Sequence, residues 1–319
     1  MIDDRAERIN AVVVTYQPQP QPLIDLLEAL VPQVSCVLII DNTPSADIRM
    51  EDLLRELALP QVKLIRLGDN FGIAKALNIG IELAFRDGAN YVLLSDQDSL
   101  PMPAMVANLL LAAQNLSKQG VAVGGVGPTY TDASTGITFP FQAQSPGKVF
   151  YRQLRASAKR PLVEALSLIT SGTLIPAVAY VAAGPMREDF FIDHVDIEWC
   201  HRIRAAGFKL YGIASARMVH RMGDAQLKVW YFGWHLENLY SPLRVYYRVR
   251  NFIVLCKMRF IPWHWKLRNF LYWIKFLYGH GVFGNAKLQT LRMAMLGLSD
   301  GLKGRMGRYP DNQHKPKSL

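Results

Sequence analysis

The sequence predicts an α/β fold built on a mostly parallel central sheet flanked by helices, continued by a basic helical C-terminal region. Three observations carry this. Short apolar runs alternate with helical stretches through the first 130 residues, the loops between them are brief, and the positive charge is concentrated at the end of the chain. Strands joined through helices by short loops pair in parallel, because an antiparallel neighbour needs only a hairpin. With 319 residues, half of them apolar, the chain can bury a large core without crosslinks.

The elements follow in order. NAVVVTY (10–16) reads as a buried strand and PLIDLLEALV (22–31) as a helix. CVLIIDN (36–42) is a second strand that ends in polar residues. Residues 45–59 form a helix with Ser45 as its N-cap. VKLIRL (62–67) is a third strand, and 72–88 a helix closed by Gly88. YVLLSDQD (91–98) is a fourth strand with acids at its end, 102–118 is helical, and 121–130 is a fifth strand. Residues 130–165 read as a hairpin turning at TDASTG, then a loop. Its basic stretch 148–160 is either a lid or an ordinary solvated loop. Residues 193–207 form a helix ending at Gly207, and 208–220 a strand pair or a strand and loop.

Charge and composition narrow the function. Residues 225–319 hold sixteen Lys and Arg against three acids, a surplus of +13, while residues 1–224 carry 20 against 23, or −3. The division predicts a nearly neutral body over 1–224 and a basic, aromatic-rich region over 225–319 that needs an anionic partner or surface. Three scattered cysteines exclude a disulfide scaffold and a cysteine-only zinc site. The start MIDDRAERIN lacks a secretory signal, and no apolar run is long enough to span a bilayer. The tail holds more aromatics than a phosphate-tracking stripe needs and no nucleic-acid-binding signature, so nucleic acid is not the expected partner.

In parallel sheets ligands bind beyond the carboxyl ends of the strands. Thr15, Asp41, Asn42, Asn70 and Asp96 to Asp98 all fall there. Asp96 and Asp98 are poor packing residues unless a cation lies between them; a divalent ion on a diphosphate would satisfy both. The alternative is a helix cap and a solvated acid. Gly72 allows close approach of a ligand, with Asn70 and Asn78 at a helix entry, although neither GxGxxG nor a P-loop is present. Asp193 and Asp196, three apart, would share a helix face near Glu198 and His194; they suit a helix dipole or a general base whose neighbours raise its pKa. His220 is a core histidine or, if it meets Asp98, the second half of a cation site.

Taken together VVVTY, IIDN, DNFGIAKALNIGI, SDQDS, SGTLI, FFIDHVDIEWCHRIRAAGF, HRMGD and YYRVRN, in order along most of the chain, resemble the family 2 glycosyltransferases of GT-A fold, and within them the bacterial rhamnosyltransferase branch. The resemblance implies a nucleotide-sugar donor site drawn from Thr15, Tyr16, Asp41, Asn42, Asn70, Gly72, Lys75, Asn78, Asp96, Gln97 and Asp98. Ser171 and Gly172 would lie along the donor–acceptor channel. It implies Mg²⁺ or Mn²⁺ on Asp98 and His220, and a catalytic base at Asp196 or Asp193. Where the family has a Glu-Asp pair, this chain has His194-Val195-Asp196.

The implied reaction is an inverting transfer of a sugar, L-rhamnose from its dTDP form, to a saccharide acceptor, lipid-linked, in cell-surface polysaccharide synthesis. Arg250 and Asn251 would touch the acceptor's phosphates. Trp263, Trp265, Tyr272 and Trp273 suit a membrane–water interface, and Lys266, Arg268 and Lys275 suit anionic headgroups, at the cytoplasmic face of the membrane. Alternatively the aromatics pack against the body or a second copy of the chain. The rival functions are transfer from another nucleotide sugar, such as a UDP-sugar, and a non-catalytic saccharide- or membrane-binding relative.

Overall fold

The computed structural model describes residues 7–44, 48–133, 135–143, 151–220 and 225–309. The first half alternates as expected. Strands β1 (Ile9–Thr15), β2 (Cys36–Asp41), β3 (Val62–Arg66) and β4 (Tyr91–Asp96) are all parallel, in the order β3-β2-β1-β4. Helices α1 (Pro20–Leu30), α2 (Ile48–Leu57), α3 (Ile73–Arg86) and α4 (Met105–Lys118) connect or follow them. Ser45, expected to cap α2, lies outside the described residues.

β1 is buried along its whole length because both faces of the sheet are covered. Val12 and Val14 enter one apolar cluster with α3, while Ala11 and Val13 enter another with α1 and α4. A strand enclosed on both sides reads as a continuous apolar run, which is why it is visible in the sequence.

Beyond β4 the sheet becomes mixed. The acidic turn Gln97-Asp98 leads into a short strand β5 (Ser99–Pro101), which sequence periodicity does not reveal. β6 (Val123–Asp132) is followed by β7 (Phe141–Ala143) and β8 (Arg152–Leu154), an antiparallel pair. The TDASTG turn does reverse the chain, with Thr131 bridging Thr138. Of the basic stretch 148–160, the first three residues lie outside the described ones, and β8 occupies part of the remainder.

β9 (Leu162–Ala165) and β10 (Leu174–Pro176) precede α5 (Ala177–Ala183) and α6 (Val195–Ala205). β10 is inserted antiparallel between β4 and β6. Residues 208–220 form one long strand, β11 (Lys209–His220), parallel to β6 and kinked between Ile213 and Arg217. β5 and β9 pair antiparallel with β11, so His220 lies opposite Ser99.

The C-terminal region is not wholly helical. It opens with the hairpin β12 (Ala225–Trp230) and β13 (Trp234–Leu239), then continues as α7 (Pro242–Lys257), α8 (Trp263–Phe283) and α9 (Lys287–Lys303). α7 and α9 approach closely: a Cβ at Gly297 would stand 2.4 Å from the Tyr246 carbonyl oxygen. Val245, Val249, Phe252, Trp265 and Trp273 belong to the same apolar cluster as Val12 and Leu94 of the sheet. The core therefore runs across residue 225. No helix among the described residues is long and apolar enough to cross a membrane.

Candidate active site

Two adjoining cavities open at the carboxyl ends of β1, β2 and β4. The smaller, about 510 Å³, is lined by Tyr16, Asn42, Asn70, Gly72, Asp96, Gln97, Asp98 and His220. The larger, about 870 Å³, lies between the sheet and the C-terminal helices and is lined by Asp96, Asp193, Asp196, Tyr151, Arg268 and Tyr272 among others. Asp96, Asp193, Arg244 and Arg248 line both, and mark where the two meet.

Hydrogen bonds between strand ends build the smaller cavity. Thr15 Oγ1 and Thr43 Oγ1 both donate to Asp41 Oδ1, at 3.1 and 2.6 Å. Thr15 and Asp41 are buried, so they brace the cavity floor. Asn42 donates to Asn70 Oδ1 at 3.0 Å and accepts from the Phe71 N–H at 2.8 Å; the Gly72 N–H also donates to Asn70 Oδ1. Gln97 exchanges two hydrogen bonds with the Tyr16 main chain, tying the acidic turn to β1. Gly72 has φ +85°, and a Cβ there would fall 2.5 Å from the Phe191 carbonyl oxygen. Both the backbone angle and the crowding therefore require glycine.

The acidic turn and His220 come together although 122 residues separate Asp98 from His220 in sequence. His220 Nδ1 is 3.7 Å from Asp98 Oδ1, and Nε2 is 3.9 Å from Asp96 Oδ2. Behind them runs a relay: the Asp96 N–H donates to Ser171 Oγ, Ser171 donates to Ser99 Oγ at 2.6 Å, and Ser99 Oγ is 2.8 Å from His220 Nδ1. Burial raises the Asp96 carboxyl; His220 opposes the shift and Asp98 adds to it.

Two carboxylates and an imidazole facing one cavity suit a hard divalent cation. Among the described residues no group of three or more His, Cys, Asp and Glu side chains, these three included, is gathered closely enough to hold a metal ion by itself.

Several sequence expectations are corrected here. Ser171 is fully buried behind the acidic turn rather than lining an open channel, and Gly172, also buried, holds the β4 edge through its N–H to the Leu94 carbonyl. Asn78 turns away from the cavity; it is buried and bonded to Met186 and Glu188. Lys75 lies over the Phe71 ring at 4.6 Å.

Arg250 and Asn251 do not face an acceptor. Both are fully buried; Arg250 donates to Asn251 Oδ1, and their other hydrogen bonds go to main-chain carbonyls of residues 189–193 and Gly307. Trp265 and Trp273 are core residues, whereas Trp263 is exposed.

The two candidate bases part company. Asp193 is not on α6: it and His194 have left-handed backbones, φ 61° and 62°, and the helix begins only at Val195. Arg244 grips the Asp193 carboxylate with two bonds at 3.0 and 3.3 Å, and Arg248 adds a third at 3.4 Å. Burial would raise that carboxyl, but Arg248 and Arg244 outweigh it and hold it below the usual carboxylate range. Asp196 faces the larger cavity from the first turn of α6. Burial pushes its carboxyl up to about 6; the Ile197 N–H opposes this, while Asp193 and Asp96 reinforce it.

Arg244 and Arg248 are the cavity-lining charges the sequence reading misses. Their i, i+4 spacing puts both on one face of α7, while Arg250, two residues on, points the opposite way. Within YYRVRN, that face decides which arginine reaches the cavity.

Known glycosyltransferases resemble this chain in sequence and in fold. Residues 11–154 match the model of the family described as Glycosyl transferase family 2. The chain is 29% identical over 299 residues to the dTDP-rhamnosyl transferase RfbF of Shigella flexneri, covering 94% of this chain and 97% of that one. It is 26% identical to a galactofuranosyltransferase of Mycobacterium tuberculosis over 77% of this chain and 81% of the relative. Among solved structures, Staphylococcus aureus TarS 1–349 in complex with UDP-GlcNAc superposes with TM-score 0.52 at 15% identity, covering 93% of this chain and 81% of that one. GalNAc-T7 with UDP, GalNAc and Mn²⁺ superposes with TM-score 0.54 at 13% identity, covering 69% of this chain; the match spans 44% of that structure. These two likenesses establish a shared fold.

Proposed function

We propose that this chain is a family 2 glycosyltransferase that moves an L-rhamnosyl group from dTDP-L-rhamnose to a saccharide hydroxyl, with inversion at the anomeric carbon and Asp196 as general base. One observation carries the mechanism: Asp96, beside Asp98 and His220, lines the same cavity as a carboxyl whose pKa is raised into the working range. The rhamnosyl assignment is supported by the identity to the Shigella enzyme along nearly the whole of both chains.

The nucleotide occupies the smaller cavity, against Tyr16, Asn42 and Asn70, with Thr15 and Asp41 bracing its floor. The acceptor enters the larger cavity. Asp196 removes the acceptor hydroxyl's proton as that oxygen bonds to the sugar's C1, and the C1–oxygen bond to the diphosphate breaks, releasing dTDP. Asp98 and His220 would hold Mg²⁺ or Mn²⁺, which when bound neutralises charge on the departing diphosphate. Arg244 and Arg248 bring positive charge to the junction of the cavities while fixing Asp193 as their counter-ion, which leaves Asp196 as the base.

The acceptor is a lipid-linked saccharide met at an anionic membrane surface. Trp230, Phe232 and Trp234 stand exposed at the tip of the β12–β13 hairpin, Trp263 is exposed on α8, and the region's surplus charge is positive. The galactofuranosyltransferase relative supports a second reading, transfer from a different nucleotide sugar by the same residues.

Full-length protein with Mn²⁺ and a panel of nucleotide sugars decides between them. Acceptor-dependent release of dTDP from dTDP-L-rhamnose is expected; preference for a UDP-sugar rejects the rhamnosyl assignment. No transfer from any donor, with saccharide binding intact, would support the non-catalytic reading.

A further inference from the structure

The segment between residues 189 and 194 occupies a costly conformation. Phe191, Asp193 and His194 all have positive φ, of 65°, 61° and 62°. Non-glycine residues are uncommon in this region, a bulky one such as Phe191 most of all, and persist there where their surroundings impose it.

Two side chains of α7 do so. The Asn251 amide donates to the carbonyls of Phe190, Ile192 and Asp193 at 3.0, 2.8 and 2.9 Å. The Arg250 guanidinium donates to Asn251 Oδ1, to the carbonyls of Asp189 and Phe190, and to that of Gly307. Arg250 is fully buried, with Tyr246 and Tyr247 rings 5.5 and 4.9 Å from the guanidinium carbon. A charge is buried at such cost only where its hydrogen bonds are satisfied.

The clasped segment touches both halves of the site. On one side the Phe191 carbonyl accepts from the Ile73 N–H at 2.7 Å, at the start of α3 where Asn70 and Gly72 shape the nucleotide cavity. On the other, His194 leads directly into the turn of α6 that carries Asp196. The Gly307 N–H donates to the Asp189 carbonyl, so residues after α9 close the clasp from outside.

We propose that Arg250 and Asn251 are positioning residues that set the separation between the nucleotide cavity and the base, by holding residues 189–194 in their strained form. The inference rests on Asp196 being the base. It makes α7 a part of the catalytic apparatus without contact between these two side chains and the substrate.

The test uses full-length Asn251→Ala and Arg250→Lys, the latter keeping charge but losing the planar fork. Melting temperature, dTDP affinity by calorimetry, kcat, KM and the pH profile of kcat are measured. The folded variants should lose about 10- to 100-fold in kcat, the order expected for a misplaced catalytic group. The acid limb of the kcat profile should move, and dTDP affinity should fall severalfold. A lower melting temperature with wild-type kcat per folded molecule, pH profile and dTDP affinity would overturn the proposal, since the clasp would then serve stability alone.

Should neither variant fold, hydrogen exchange on the wild-type protein decides. The amides of Ile73, Phe191, Ile192 and Gly307, which donate within or onto the clasped segment, should be protected to the same degree as those of α7, and exchange at open-loop rates overturns the proposal. Asp196→Asn run alongside separates the two claims. Wild-type turnover there removes the base assignment, while dTDP affinity and hydrogen exchange still judge the clasp.

Discussion

Asp193 and Asp196 stand three residues apart and meet opposite electrostatic fates. Asp193 is neutralised by two arginines, and its lowered pKa means that its ionised form stabilises the fold above the ordinary carboxylate range and loses that contribution on acidification. Asp196 is raised to about 6, so its protonated form is the better tolerated, and stability falls as pH rises through that value. Asp196→Asn should therefore lower turnover by at least about 10²-fold while raising the melting temperature, because an ionised Asp196 costs of order 3 kcal/mol at neutral pH. Asp193→Asn should lower the melting temperature, since it leaves two arginines without their counter-charge. Thermal melts and single-turnover assays on both variants check this, and identical melts would refute the contrast. In the wild type, kcat should climb through about pH 6 as Asp196 loses its proton. His220→Ala should weaken Mn²⁺ binding at least tenfold by titration, in line with the loss of a ligand or its support. Unchanged affinity removes His220 from the ion site.

On the level of elements, α7 is the piece whose role reads worst from sequence and matters most. It carries buried apolar residues, the Arg244–Arg248 face at the cavity and the Arg250–Asn251 pair clasping 189–193. A motif such as YYRVRN announces that arginines matter; only the helix phase says which one reaches the cavity. The same limit applies to residues 193–194, whose left-handed backbone depends on that clasp and leaves no local sign. By contrast β1, β2 and β4 are legible because both faces are covered, which writes burial into every position of β1 and β2 and into the middle of β4. The short strands β5, β9 and β10 are not, since three or four residues carry no period and their pairing is set by β11, β6 and β4. Gly72→Ala tests the contact of α3 with the clasped segment. It should cost about 1–3 kcal/mol of stability and raise the donor KM more than it lowers kcat. The β12–β13 hairpin tests the membrane reading. Phe232 is completely exposed at its tip, and Phe232→Ser should reduce co-flotation with anionic vesicles while leaving turnover on a soluble acceptor unchanged.

Across the molecule, one apolar cluster includes Val12 of the first strand and Trp273 of the penultimate helix. Composition suggests a neutral body and a basic appendage, and the charge does divide there; packing does not. Charge is a surface property and follows partners, whereas the core follows shape, so the two need not break at the same residue. Residues 1–224 expressed alone should fail to form a stable soluble fold, because the partners of that cluster in α7 and α8 would be missing. Cooperative melting of the fragment would refute this. The convergence of Asp98 and His220 was readable only with the help of a family pattern, since no spacing rule links residues so far apart. The contact between Gly72 and Phe191 has an implication for anyone recombining such enzymes. A chimera that imports a new sugar-nucleotide pocket on the N-terminal half brings its own residue at position 72. Unless the graft also carries the matching 189–194 turn, the transplanted pocket arrives with its proton acceptor out of alignment.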